Sequence, residues 1–222
     1  MTAPILQPCE ESFAIAARCV ADGGVVIAPS DTNLALTLDP WNDAAIARAF
    51  AIKRRPPNQA LTLFVHDPEE WRDYAEVEDA GPIDRVVGRF WPGPLNIVVP
   101  RNGKVPDTIV RGGPTVAIGC IANAALRGLL AHLGRPVAMT SANLSGQADG
   151  VLVDMALALA QVGDAVDYIL AGAPDGTTKS STILDLSNAT RAGGARILRH
   201  GDITAADLRV ALGEVLPIHE AA

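Results

Sequence analysis

Apolar and polar positions along this chain recur at two spacings, one helical and one alternating. From Glu10 to Asp22, "EESFAIAARCVAD" sets Phe13, Ala16, Ala17 and Val20 on one helical face, and Gly23-Gly24 follows as a stop, which predicts a first helix ending there. "VVIAP", from Val25 to Pro29, is short and β-branched, the pattern of a buried strand. "NDAAIARAFAIKRR" predicts a second helix, opened by Asn42 and Asp43 and closed by a basic turn that complements the helix dipole. Strands are expected at "ALTLFVHD", "LNIVVP", "TVAIGCI", "VDYILAG", "STILDL" and "ARILR". "PVAMTSANLSG" reads as a strand running into a polar loop. Further helices are expected over "PIDRVVGRFW", stopped by Pro92-Gly93-Pro94, over "NAALRGLLAHLG", over Val151 to Gln161, and after Thr204 as a cap. The order mixes βα units with runs of strands and shows no repeat, which predicts a single α/β domain with a mixed, twisted sheet.

Three strand-end loops interrupt this pattern with small hydroxyl and amide residues: "PSDT" at Pro29 to Thr32, "TSANLSG" at Thr140 to Gly146 and "TTKSST" at Thr177 to Thr182. Each alone reads as a turn. Together, held by one sheet, they form the kind of loop set in which binding groups collect. "KRRPP", Lys53 to Pro57, is the one tight basic cluster, placed at the end of the second helix. A cavity closed by these four segments suits a nucleoside triphosphate, with Lys and Arg for phosphate charge and Ser and Asn for orientation.

Composition narrows the classes. A chain of 222 residues, 49% hydrophobic, has material for one large core. Its longest uncharged stretches are broken by Gly, Pro and Asn and fall short of a membrane span of ~20 residues. "MTAPILQPCEESFA" has no basic segment followed by an apolar one, so a soluble, cytoplasmic protein with no membrane partner is expected. Cys9, Cys19 and Cys120 have neither disulfide parity nor metal-ligand spacing, and no metal site is expected from them. A net charge of −7 argues against a broad nucleic-acid face. Neither GxxxxGK[ST] nor strand-GxGxxG-helix occurs, so a nucleotide site must be of another kind. There is no GxSxG elbow, and His66, His132, His200 and His219 stand in no triad-like context.

Taken in order, the motifs resemble those of the YrdC family, the threonylcarbamoyl-AMP synthases that begin the t6A modification of tRNA. "PSDTNLAL" is similar to the family's Pro-Thr-Asp-Thr-Val-Tyr-Gly-Leu, and "KRRP" to its Lys-x-Arg-Pro. Trp-Pro-Gly-Pro-Leu stands intact at Trp91 to Leu95, and Ser-Ala-Asn-Leu-Ser-Gly at Ser141 to Gly146. "STILD" and "LRHG" match its last two motifs. The six motifs place a YrdC-like domain over residues 10–212, with 1–9 and 213–222 as terminal extensions. The resemblance implies a twisted mixed sheet curved around a positively charged cavity with flanking helices. It also implies a reaction in which an amino acid, bicarbonate and ATP, the last with Mg2+, give a carbamoyl adenylate and pyrophosphate.

By motif position, the resemblance implies that Lys53 and Arg55 act in catalysis on the phosphates and the bicarbonate-derived group. It implies that Arg55, Gln59, Thr115, Asn143 and Arg199 contact ATP, and that Thr32, Ser141 and Ser181 lie near the amino-acid substrate. Trp91 to Leu95 reads as architecture. Departures cluster on the amino-acid side. The family's tyrosine is Leu34, its flanking Val and Gly are Asn33 and Ala35, and a histidine used by some members aligns with Phe64. The arginine that pairs with the substrate carboxylate aligns with Gly119; no basic residue lies from Gly119 to Asn123, and Arg111 and Arg127 are the candidates to reach across in its place. The expectation is therefore a nucleotidyltransferase whose carbamoylated amine can differ from threonine. The alternative is a non-catalytic nucleotide- or RNA-binding protein using the same cavity.

Overall fold

The computed structural model describes residues 2–54, 59–147, 152–172, 177–189, 193–213 and 216–220. Within them, eleven strands form one mixed sheet. They are β1 (Ile5–Leu6), β2 (Val26–Pro29), β3 (Leu34–Leu38), β4 (Thr62–Val65), β5 (Leu95–Pro100), β6 (Thr115–Cys120), β7 (Val137–Ser141), β8 (Tyr168–Leu170), β9 (Thr182–Asp185), β10 (Ala195–Arg199) and β11 (Ile218–Glu220). Their spatial order is β1-β8-β2-β3-β7-β4-β6-β5-β9-β10-β11. The pairs β4 with β6 and β5 with β9 are parallel, whereas β3 with β7, β7 with β4 and β6 with β5 are antiparallel. The helices are α1 (Glu10–Ala21), α2 (Asp43–Lys53), α3 (Gly81–Phe90), α4 (Asp107–Val110), α5 (Ala124–Leu133), α6 (Met155–Val162) and α7 (Ala205–Leu212). Among the described residues no helix is long and apolar enough to cross a membrane.

Strand alternation sorts side chains onto two faces. Leu34, Leu36 and Leu38 of β3, Leu63 and Val65 of β4, Leu95, Ile97 and Val99 of β5, and Val116, Ile118 and Cys120 of β6 share one core with Ile46 of α2, Val86 of α3 and Leu208 of α7. The opposite face carries a second core, in which Ala16 and Val20 of α1 and Leu126, Leu129 and Leu130 of α5 pack with Val26, Ala28 and Val137. Helices α1 and α5 meet closely at Gly128, where a β-carbon would sit 2.5 Å from the Phe13 ring. That second face is only partly covered, and the remainder is the floor of a cavity.

Several element ends have local causes. Asn42 accepts from Ala45 N at the start of α2, and Arg54 closes that helix in the left-handed region at φ 48°. Thr204 and Asp207 form a reciprocal capping box on α7. The helix expected from Val151 begins instead at Met155, because Asp154 is its cap and accepts from Leu157 N at 2.8 Å. Trp91 is buried and its Nε1 donates to Leu95 O at 2.7 Å, so Trp-Pro-Gly-Pro-Leu folds on itself as the joint between α3 and β5.

Candidate active site

The cavity, of about 620 Å³, lies on the part of the second sheet face that α1 and α5 leave uncovered. Its floor follows the strand register. Phe64, Gly119, Asn96 and Ile183 form one cross-strand row, and Met139, Thr62, Ala117 and Val98 the next. The polar residue in the otherwise apolar "LNIVVP" is thus a cavity residue, Asn96. Over the floor stand the three polar loops and the C-terminal turn of α2. The structure brings Thr32, Lys53, Gln59, Ser141, Asn143, Ser181 and Arg199 together on this one cavity. Thr115 does not line it; it sits one pleat beyond Ala117 on the same face of β6, opposite Pro100. Arg55 lies outside the described residues.

In "PSDT" the three polar side chains take different tasks. Ser30 closes the turn: its Oγ donates to Asn33 O at 2.7 Å and accepts from Thr32 N and Asn33 N. Asp31, 4% exposed, turns away from the cavity, and its carboxylate accepts from Ala122 N and Asn123 N at the entry to α5. Thr32 and Asn33 are left to face the cavity.

Lys53 is 1% exposed, which a lysine tolerates only when its ammonium is satisfied. Its Nζ donates to Ser141 O at 2.5 Å and Asn143 O at 2.7 Å, with Asn143 Oδ1 and Ser141 Oγ at 3.2 and 3.3 Å. Ser141 Oγ also donates to Asn143 Oδ1 at 2.5 Å, and Ser145 N to Lys53 O at 2.9 Å. The end of α2 and the "SANLS" loop are therefore one unit, with a cation at its centre.

Arg199 reaches the cavity through a fault in the sheet. Ala195 and Ile197 of β10 face the first core, so unbroken alternation would send Arg199 there too. The register between β10 and β9 shifts between Ile197 and Arg199, and this bulge turns both Leu198 and Arg199 to the cavity. Arg199 Nε donates to Ser181 O at 2.8 Å, and desolvation by the surrounding protein lowers its pKa from the ordinary arginine value. Among the described residues the charged lining side chains are Lys53 and Arg199, and no carboxylate lines the cavity.

Around Gly119 the lining is mostly apolar, with Asn96 the polar exception. Leu34 is wholly buried in the first core, and Phe64, Ile121, Met139 and Ala35 line the cavity around Gly119. Arg111 lies over the Phe50 ring, and Arg127 donates to His66 O at 2.8 Å; neither lines the cavity. None of the four histidines lines it either. Asn33 and Asn96 also line the cavity, although neither lies in the loop and basic segments expected to close it. For Asn96 the signal was available, as the one polar position in a buried strand.

Residues 18–201 match the Sua5_yciO_yrdC family model, described as telomere recombination. The match spans most of the chain, which belongs to the Sua5/YciO/YrdC family. A protein named threonylcarbamoyl-AMP synthase from Pseudoalteromonas translucida is 31% identical over 182 residues, 81% of this chain and 95% of that one. One of the same name from Idiomarina loihiensis is 29% identical over 174 residues, 78% of this chain and 92% of that one. Among solved structures, P. abyssi Sua5 complexed with L-threonine has a TM-score of 0.85 at 26% identity, over 99% of this chain. The chain spans 63% of that Sua5. E. coli YciO, at 22% identity and a TM-score of 0.78 over 92% of this chain, shares the fold.

Proposed function

We propose that this protein forms a carbamoyl adenylate from an amine or amino acid, bicarbonate and ATP, releasing pyrophosphate. The observation that carries this reading is one cavity lined by Lys53 and Arg199 as cations, by the hydroxyls and amides of Thr32, Ser141, Asn143 and Ser181, and by no carboxylate among the described residues. Such a lining favours a polyanion and spares a weak anionic nucleophile from repulsion.

The chemistry follows from that lining. Amine and bicarbonate condense to a carbamate with loss of water. A carbamate oxygen then attacks the α-phosphorus of ATP, the bond to the bridging oxygen breaks, and pyrophosphate leaves with the electron pair. The step depends on holding two anions in line and on meeting charge that builds at phosphorus. Lys53 supplies positive potential and, through Ser141 and Asn143, fixes the loop that would flank the nucleotide. Arg199, pinned by Ser181 O, offers a guanidinium face to the phosphates or the base. Arg55 is assigned a direct phosphate contact by its motif position. Mg2+ carried on the triphosphate as part of the substrate would offset some of its charge. The lining offers that ion hydroxyl and amide oxygens rather than carboxylates, which fits a hydrated cation carried by the phosphates.

The threonine relatives support an amino-acid substrate, whereas the apolar surroundings of Gly119 favour an amine whose carboxylate is masked or held differently. L-Threonine is expected to be a weak substrate. The test is pyrophosphate release from Mg-ATP and bicarbonate across a panel of amines, with mass spectrometry of the adenylate. Calorimetry with millimolar Mg-ATP accompanies it. No heat with ATP and no release with any amine overturns the proposal, and heat without release leaves a nucleotide-binding protein.

A further inference from the structure

Asn33 stands where the resembling family has valine, and its side chain joins three segments of the cavity wall. Its Oδ1 accepts from Val153 N at 2.8 Å, and its Nδ2 donates to Thr32 Oγ1 at 3.1 Å and to Ser180 Oγ at 3.2 Å. The orientation of this amide is fixed by chemistry. A backbone N–H can only donate, so the atom facing Val153 is the oxygen, and the atom facing the two hydroxyls is the NH2 group. Both hydroxyls must then accept from Asn33, which leaves each with its own O–H hydrogen to place. Neither has a further partner among the described residues, both line the cavity, and Thr32 is 3% exposed. A hydroxyl hydrogen that lines a cavity and has no acceptor among the described residues is available to an acceptor oxygen placed in that cavity.

We propose that Asn33 is a specificity-determining positioning residue. It commits the hydroxyls of Thr32 and Ser180 to donate into the cavity, and so selects an amine substrate that presents an acceptor oxygen, carboxylate or carbonyl, to that pair. The inference rests on the carbamoyl-adenylate reading of the cavity. It names the group recognised at its amine end and gives a reason for an amide at position 33. With valine there, no amide NH2 would hold the two hydroxyls as acceptors, and the direction of their hydrogens would not be set.

The test uses the full chain and three sets of amines: L-amino acids including L-threonine, their amides including L-threoninamide, and alkylamines without a carbonyl, such as isobutylamine. Pyrophosphate release is expected with members of the first two sets and not the third, and the preferred set distinguishes carboxylate from carbonyl. Asn33→Asp keeps the shape and the acceptor for Val153 N but replaces the NH2 donor by an oxygen, which draws both hydroxyl hydrogens onto itself. It is expected to raise KM for the amide substrate about tenfold or more, as loss of donors to a buried acceptor does. A charge effect alone would weaken ATP and amino acids and spare the neutral amide. Ser180→Ala, which leaves Val153 N satisfied, is expected to raise the amine KM with the ATP KM unchanged, and it carries the test if Asn33→Asp does not fold. Release with alkylamines equal to that with amino acids or amides overturns the inference, as does an unchanged amine KM in the variants. Absence of release with every amine overturns the underlying reaction and this inference with it, whereas an active wild type with unaffected variants overturns the inference alone.

Discussion

Phe64 and Gly119 sit opposite each other across β4 and β6, and a β-carbon on Gly119 would lie 2.5 Å from Phe64 Cε1 and 2.5 Å from Asn96 Oδ1. These two departures from the resembling family's motifs are therefore a single packing arrangement, in which the aromatic ring occupies the space over the glycine. Gly119→Ala is expected to destabilise the protein by about 1–3 kcal/mol through overpacking. Phe64→Ala in the same chain should recover part of that loss, because the two residues compete for one volume. Gly119→Arg alone is expected to lower stability without raising threonine-dependent turnover; combined with Phe64→Ala it should raise it. Urea unfolding of the four chains of the alanine cycle checks the coupling, and additive effects would show that the ring yields without cost.

Lys53 is tied to Ser141 and Asn143, whereas its neighbour Arg54 is exposed at the end of α2. Lys53→Met keeps most of the buried stem but strips two buried carbonyls of their donor, and is expected to cost several kcal/mol of stability and to abolish nucleotide turnover. Arg54→Ala should leave turnover near wild type. Arg55→Ala should reduce it by roughly tenfold to a hundredfold, the value of a charge-assisted contact of ~1.5–3 kcal/mol. Equal effects of the two arginine substitutions on folded proteins would mean that the basic motif is misaligned.

Much of this arrangement is legible in the chain. β5 and β10 have the bounds that alternation and β-branching indicate, and α7 starts at its Thr204 cap. The polar loops gather where strand ends converge. What the sequence conceals has physical reasons. β1 and β11 are two and three residues long, too short for a period, and exist because β8 and β10 offer them an edge. α4, at four residues, is equally short. The bulge that redirects Arg199 is invisible to an alternation argument, since "ARILR" carries no Gly or Pro to mark it. The division of labour in "PSDT" depends on Ala122 and Asn123, ninety residues away, and only the folded chain brings them to Asp31.

The loop carrying Ser180 and Ser181 is anchored by Asp202, whose carboxylate accepts from Thr178 N at 2.7 Å, Thr178 Oγ1 at 2.6 Å and Lys179 N at 3.2 Å. The Thr178 hydroxyl and backbone hold the Asp202 pKa below its ordinary 3.8. A carboxyl depressed on folding stabilises the protein above its unfolded-state pKa, and that contribution is lost as pH falls through the folded value. The loss is therefore confined to the acid side of about pH 4. Asp202→Asn is expected to flatten the decline of thermal stability in that window while leaving its shape near neutrality unchanged. It should also raise KM for the amine, since the loop is less firmly held. A decline in acid as steep as that of the wild type would show that other carboxylates govern it.

The three cysteines are expected to differ widely as nucleophiles, because the thiolate is the reactive form. Burial pushes Cys120 up to about 12, and burial with the nearby Asp167 carboxylate pushes Cys19 up to about 11. Cys9 is exposed at the start of α1, and its hydrogen bond to Ser12 Oγ lowers its pKa. At pH 8 a thiol of pKa about 11 is ionised in roughly one molecule in a thousand, against about one in four at the ordinary value near 8.5. Treatment of the native protein with iodoacetamide should modify Cys9 first, by a factor of a hundred or more set by thiolate fraction and access together. All three should react once urea unfolds the chain. Mass spectrometry of tryptic peptides reads the order directly. Labelling of Cys120 at the rate of Cys9 in the folded protein would mean that β6, and with it the floor of the cavity beside Gly119, opens far more readily than its burial indicates.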